Sequence, residues 1–340
     1  MAKSLNAGKG IFPPMGIILI RYGELALKSR PVRLRFERTL MRNIEDLFLR
    51  ENRECILSRE WGRIMAHVRD ETAAARILGR VFGITSFSPA VECPSEMQTV
   101  ADMAAGRSIA LLKDGQSFAI RARRTGTHPY NSQRLAALAG SAVLEANPGR
   151  GIKVNLSHPD MEIFIEVRGK TAYVFADKFP GPGGLPMGTQ GRVAALLADE
   201  ASAAAAWLMM KRGCRVIAVG MVQGDEGAED QSGLSKSSAS KTTAPAVVHD
   251  TKVQGVEGAR KALELLLPYA PGIALHALPD ISTEALERFA RSRRAEALVL
   301  GSSYEELENG IPRTGMPILF PLCGLGPNER AGLVEKIRAG

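Results

Sequence analysis

Two short basic segments stand out for what their side chains could hold. "RYGELALKSRPVRLR" presents Arg21, Lys28, Arg30, Arg33 and Arg35, and "IRARRTGTHPYNSQR" presents Arg121, Arg123, Arg124, His128 and Arg134. In an extended strand Arg121 and Arg123 share one face, opposite Phe118, Ile120 and Ala122. Paired guanidinium groups on an exposed sheet face suit phosphate oxygens, because each planar fork donates parallel hydrogen bonds. A merely solvated strand face uses the same residues, so charge pattern alone leaves both readings open.

The second candidate is a helix start. In "ALLADEASAAAAWLMMKRG" (195–213) a strand-like run ends at Leu197 and a helix begins within a few residues. That is where a parallel α/β sheet cradles phosphate, on backbone N–H groups made accessible by glycine. Here no glycine lies between Leu197 and Gly213. The loop Leu197, Ala198, Asp199, Glu200, Ala201 and Ser202 offers carboxylates instead. Asp199 and Glu200 suit the cap and first turn of a helix, where they complement its dipole. Beside a triphosphate they repel, at about 4 kcal/mol per like-charge pair for about 4 Å and an effective dielectric of 20. The sequence therefore predicts a degenerate nucleotide loop, with no catalytic residue, no metal and no cofactor.

Other candidates are weaker. His158 and Asp160 in "SHPD" have acid–base character, and His249 and Asp250 fall in a loose segment. Cys55, Cys93, Cys214 and Cys323 lie far apart without a CxxC pair, which predicts reduced, mostly buried thiols and a cytoplasmic protein. The 340 residues predict two or three domains, and the net charge of +8 hints at a polyanionic partner. No apolar run approaches the roughly 18 residues that would cross a membrane, and the N-terminus has no cleavable-leader pattern.

These groups need elements to position them. "GIILIRYG" (16–23) reads as a buried strand. "PVRLRFERTLMRNIEDLFLRE" (31–51) sets Phe36, Leu40, Ile44 and Leu47 at helical spacing, with Pro31 in the first turn. "GRIMAHVRD" (62–70) alternates as a strand, "ETAAARILGRVFG" (71–83) predicts a helix closed by Gly83, and "ITSFSPAVEC" returns as a strand. That order predicts a small α+β unit of ferredoxin-like type. A second unit follows, with helical "TVADMAAGRSIALL", the strand "SFAIRAR" (117–123), a helix capped at Asn131/Ser132, and a hairpin over 161–177 turning near Gly169. From Leu185 onward apolar strands alternate with helices, which predicts a parallel sheet covered on both faces. Segment 223–251 is too rich in Gly, Ser, Asp and Lys to offset its ordering entropy, and reads as a disordered insert.

The stretches resemble a known family. "RYGELALKS", "FERTLMRNIEDLF" and "VFGITSFSP" resemble the N-terminal domain of the bacterial and archaeal tRNA 4-thiouridine synthetases. "SFAIRARRTGTHPYNSQ", "KVNLSHPDMEIFIEVRGKTAYVF" and "GPGGLPMGTQGRV" resemble their THUMP domain and the linker leaving it. "WLMMKRG" and "ALVLGS…PILFPLCGLGPNE" resemble their PP-loop domain. The resemblance implies a tRNA partner held at its acceptor end, and an ATP-dependent sulfur transfer to uridine 8. It also exposes departures. The family's SGGxDS loop is replaced by "LADEAS", its second active-site segment after "LVLGSS" reads "YEELENG" with Glu305 and Glu306, and no cysteine follows Cys323. Cys323 is expected at a strand end or in the core rather than in sulfur transfer.

Together these readings predict an α/β chain, α+β at its N-terminal part. A ferredoxin-like domain spans 1–90, a THUMP domain 91–180, a Gly-rich linker 181–192, and a degenerate PP-loop domain 193–340 with the insert 223–251. Lys28, Arg30, Arg33, Arg35, Arg121, Arg123, Arg124 and Arg134 are the expected RNA contacts. The expected role is tRNA binding that assists a modification made by another tRNA-modifying or sulfur-carrier protein, without ATP turnover; a homodimer is left open. The alternatives are an active sulfurtransferase using ATP and Mg with a divergent or partner-completed site, and a structural protein whose acidic helix start docks a partner.

Overall fold

A computed structural model describes residues 15–23, 29–60, 62–221, 247–248, 257–308 and 310–340. The chain forms two compact units, one drawn from residues up to Arg21, Arg53–Ala75 and Ser86–Pro180, the other from Tyr22–Asn52, Arg76–Thr85 and Gly181–Gly340.

The elements run β1 (Gly16–Tyr22), α1 (Arg30–Arg50), β2 (Cys55–Glu60), β3 (Arg63–Val68), α2 (Glu71–Leu78) and β4 (Ile84–Pro94). This βαββαβ order contains a strand that the sequence reading passed over. β2 is an edge strand with no fully buried residue and with Ile56 exposed, so it carries little of the buried alternation that marks a strand. α2 ends at Leu78, not at Gly83. The chain leaves the helical path there because Phe82 is drawn into an aromatic cluster of the second unit, 5.3 Å from Trp207 and 5.5 Å from Tyr269.

Next come α3 (Met97–Leu111), β5 (Ser117–Thr125), α4 (Ser132–Glu145), β6 (Lys153–Val154), β7 (Met161–Arg168), β8 (Thr171–Phe175) and β9 (Phe179–Pro180). All these strands join one nine-stranded sheet in the order β2-β3-β1-β4-β8-β7-β5-β6, with β9 added to β4. Its two faces follow from alternation. Ile163, Ile165 and Val167 of β7 pack with Val100 and Ala104 of α3 and Leu135 and Ala139 of α4. The other residues of β7, Glu162, Phe164, Glu166 and Arg168, therefore point to the opposite face. β6 pairs with Ser117 and Phe118, so among the described residues β5 has no further strand along its outer edge where the arginines begin.

The remaining elements are β10 (Arg192–Leu196), α5 (Glu200–Lys211), β11 (Arg215–Met221), β12 (Val247–Val248), α6 (Glu257–Leu266), β13 (Leu275–Leu278), α7 (Thr283–Ser292), β14 (Ala297–Val299), α8 (Tyr304–Leu307), β15 (Ile318–Leu319) and α9 (Pro327–Ala339). The sheet order is β12-β13-β11-β10-β14-β15, parallel except for β12. The short β12 lies inside 223–251, so that stretch is not wholly without secondary structure; the rest of it lies outside the described residues. Helices α5, α6 and α9 cover one face through Trp207, Leu266 and Ile337, and α7 covers the other through Leu286 and Phe289. Ala203, Ala204, Ala205 and Ala206 have no exposed surface, because α5 is walled in by the sheet, α6 and α9. The strand order reverses between β10 and β14, which places the ligand crevice of such a sheet beyond Leu196 and Val299.

Trp207 anchors this unit, 1% exposed and edge-on to both Phe82 and Tyr269. Trp207→Ala is expected to lower unfolding free energy by about 3–5 kcal/mol in urea titration. A loss below about 1 kcal/mol would show that the cluster is not the anchor.

Candidate nucleic-acid interface and nucleotide loop

The upper face of the first sheet carries a cavity of about 540 Å³. Arg21, Arg63, Arg121, Arg123 and Lys178 line it, against only Glu162 and Glu166, an excess of three positive charges. Register brings these together. Arg121 lies opposite Phe164 and Arg123 opposite Glu166 across the parallel β5–β7 pair. Phe164 in turn stacks on Phe175 of β8 at 5.2 Å, which gives the floor an apolar ring pair. Ser132 and Gln133, in the first turn of α4, close one side. The helix start is capped by Asn131, whose side chain accepts from Arg134 N at 2.8 Å.

The cations differ in how they are held. Glu166 is 7% exposed and takes two guanidinium groups at once. Its Oε1 accepts from Arg168 Nε at 2.8 Å and pairs with Arg168 Nη2 at 2.6 Å, and its Oε2 accepts from Arg63 Nη2 at 3.3 Å. Arg63 Nε lies 3.0 Å from Oε1 as a charge contact without an aligned hydrogen. Burial opposes ionisation of Glu166, yet Arg63, Arg168 and Arg21 outweigh it and hold its pKa below the ordinary value. Arg21 stands 4.7 Å over the Phe175 ring and donates to Ser88 Oγ at 2.9 Å. Burial, aided by Arg63, Arg168 and Arg123 and opposed by Glu166, lowers its pKa to about 10. It therefore stays charged at neutral pH. Arg121 is half-exposed and held by Glu162 at 2.6 Å and by Leu156 O at 2.9 Å. Arg123 is exposed and makes no ion pair or hydrogen bond among the described residues. A semi-buried arginine cluster with an apolar floor can hold an anion that also presents a planar ring, which describes a nucleotide.

At the second unit's crevice three loop donors are already engaged. Asp199 caps α5, its Oδ1 accepting from Ser202 N at 2.8 Å. Ser202 Oγ accepts from Ala198 N at 2.9 Å and Asp199 N at 3.0 Å. Three N–H groups that could face phosphate are thus satisfied within the loop itself. Glu200 pairs with Arg338 of α9. Space is short as well. A Cβ on Gly301, just past β14, would stand 2.6 Å from Ser202 Cα, and one on Gly258 would stand 2.2 Å from Ala198 O. Backbone from two sides therefore presses on the loop. An incoming phosphate would have to break a capping box worth about 1 kcal/mol and meet the Asp199 carboxylate.

Sequence comparison is consistent across the length of the chain. The ThiI ferredoxin-like domain matches residues 17–88, the THUMP domain 108–177, and the thiamine biosynthesis protein (ThiI) family 188–307. A probable tRNA sulfurtransferase of Methanothermobacter thermautotrophicus is 37% identical over 336 residues, covering 94% of this chain and 84% of the relative. The chain belongs to the tRNA sulfurtransferase family. A second relative of that description, from Methanosarcina acetivorans, is 42% identical over 207 residues, a match that spans only 50% of that protein. Among solved structures, PH1313 of Pyrococcus horikoshii superposes with a TM-score of 0.75 at 28% identity, covering 95% of this chain and 100% of the other. A 4-thiouridine synthetase solved in complex with RNA and bound ATP superposes with a TM-score of 0.74 at 21% identity, covering 95% and 85%, and shares the fold.

Within this family member the residues singled out from sequence separate into two groups. Arg121 and Arg123 line the cavity, while Arg124, bonded to Gly126 O, and the exposed Arg134 lie near it in sequence but are not among its lining. Arg30, Arg33 and Arg35 sit at the start of α1 in the other unit, where Arg33 lies 3.8 Å from the buried Glu37. Lys28 lies outside the described residues, as do His249 and Asp250. Asp160 is structural: its carboxylate accepts from Ser117 N and Oγ and ties the loop to β5. The expectation of mostly buried thiols holds for Cys93 and Cys214 only; Cys55 is half-buried, and Cys323 is exposed in the turn after β15. Arg63, Lys178, Glu162 and Glu166 were not picked out. The signal was present in "EIFIEVR", where charges alternate with apolar residues on a strand otherwise built for a core.

Because Glu166 titrates below its unfolded value, its stabilising contribution is present above the ordinary carboxylate pKa and is lost as pH falls through the lower, folded one. The wild-type melting temperature should therefore fall more steeply than that of Glu166→Gln between about pH 5 and pH 3. Parallel melting profiles would mean that the carboxylate is not stabilised by its arginines.

Proposed function

We propose that this member of the tRNA sulfurtransferase family binds tRNA through the arginine-lined cavity of its first unit, holding the acceptor end there. The observation that carries this reading is the excess of three positive charges around a floor of stacked aromatic rings. Phosphate oxygens would meet Arg123 and Arg21, and an unpaired terminal base would lie against Phe164, the less buried of the two rings. A protein of the same fold has been solved with RNA, which agrees with this use of the architecture. The closed start of α5 supports a role without ATP turnover, in which the bound tRNA is modified by a second protein.

Phosphate contacts release counterions, so affinity should fall steeply with salt. In filter binding at several salt concentrations, reversing Arg121 and Arg123 to Glu should weaken tRNA binding by about tenfold or more and flatten the salt slope by about one unit per lost contact. Reversing Arg291 and Arg293 is the control. Arg291 is already engaged by Glu287 and Gly315 O, and Arg293 lies over Phe289, so this change should alter affinity less than about threefold. The opposite ranking would place RNA recognition in the second unit.

Titration calorimetry with Mg-ATP tests the second half of the reading. No binding tighter than about 10 μM, near −7 kcal/mol, is expected. Tight binding, with pyrophosphate released when tRNA is added, would instead support an active sulfurtransferase with a divergent loop.

A further inference from the structure

Glu166 is the one nearly buried carboxylate on the cavity wall, and it contributes the wrong charge for a polyanion site. Three features set it apart from Glu162. Both forks of Arg63 and Arg168 converge on it, whereas Glu162 has the single partner Arg121. Its side chain is 10% exposed, whereas that of Glu162 is 39% exposed. It lies directly across the β5–β7 ladder from Arg123, a cation whose own charge is left free. Guanidinium groups repel when packed together in a half-buried space, so Arg21, Arg63, Arg123 and Arg168 could not hold fixed places there without an anion among them.

We propose that Glu166 is a positioning residue for phosphate recognition: it clamps Arg63 and Arg168 and thereby fixes Arg21 and Arg123 as a preformed seat for one phosphodiester group. This rests on the cavity being the RNA site. Glu162 has the opposite role. It is a displaceable counter-ion that holds Arg121 until a phosphate takes its place. The phosphate seat is thus built on a supporting layer whose charges cancel partly among themselves, and the excess is presented to the ligand in a set geometry.

The two roles predict effects of opposite sign, and a field argument alone does not. Both Glu166→Gln and Glu162→Gln remove one negative charge beside a polyanion, so the field by itself would tighten binding in both. Positioning predicts that Glu166→Gln weakens tRNA binding by about tenfold, since its amide N–H₂ would face guanidinium N–H groups and disperse the cluster. Glu162→Gln should tighten binding by about two- to threefold. The measurement is filter binding of tRNA by the full chain, with circular dichroism and gel filtration to establish folding. Arg168→Lys serves where Glu166→Gln does not fold. It keeps the charge but loses the fork, and should weaken binding about threefold with an unchanged salt slope. Wild-type or tighter binding by folded Glu166→Gln, or by Arg168→Lys in its place, overturns the proposal. The Arg121/Arg123 reversal separates the two levels. If it weakens binding and Glu166→Gln does not, only the positioning role falls; if it leaves binding unchanged, the cavity reading falls and takes this proposal with it.

Discussion

Like charges cannot be packed side by side without a counter-ion, and the first unit meets that constraint with one carboxylate. Glu166 accepts from two guanidinium groups and lies across from a third. The strand pairing makes this arrangement possible. Alternation on β7 sends Ile163, Ile165 and Val167 into the helix-covered core, so Glu162, Phe164, Glu166 and Arg168 must share the other face. The same sheet continues through β8, β4 and β1, whose Phe175, Ala90, Leu19 and Ile17 form an apolar cluster that supports the charged edge. The net cost of burying Glu166 is offset because each of its oxygens meets arginine donors, the condition under which buried charge is tolerated.

The second unit faces a different constraint, the free N–H groups at the start of a helix. A helix that opens toward a ligand crevice must have those donors satisfied by something. Here Asp199 and Ser202 engage the N–H groups of Ala198, Asp199 and Ser202 from within, and Glu200 is occupied by Arg338. The Glu200 pair is solvent-exposed and contributes little by itself. The engaged donors and the backbone crowding at Gly301 and Gly258 therefore weigh more against a phosphate here than raw charge repulsion does.

The legible part of the chain was the part governed by local periodicity. Strand β1, helix α1, the cap at Asn131 and the β7–β8 hairpin follow from spacing and turn chemistry, and the parallel second sheet from apolar strands alternating with helices. β2 was not legible because an edge strand need not bury a face, and the early end of α2 was not because Phe82 answers to Trp207 and Tyr269, far away in sequence. The candidate site was half visible. Arg121 and Arg123 declare themselves by spacing, but Arg63 and Glu166 meet across 103 positions of sequence, and only sheet order makes them neighbours.

These constraints bear on why a chain would retain the second sheet while filling its phosphate loop. Glycines in such a loop cost conformational entropy and leave donors open, so an unliganded loop is a weak point in the fold. Replacing them by Asp199, Ser202 and buried alanines removes that weakness, since the cap adds about 1 kcal/mol and the alanines favour helix. The residues that stabilise α5 also engage N–H groups that a phosphate could otherwise use. The stabilised helix start and the engaged loop donors are thus one feature, produced by the same hydrogen bonds from Ala198, Asp199 and Ser202 N–H.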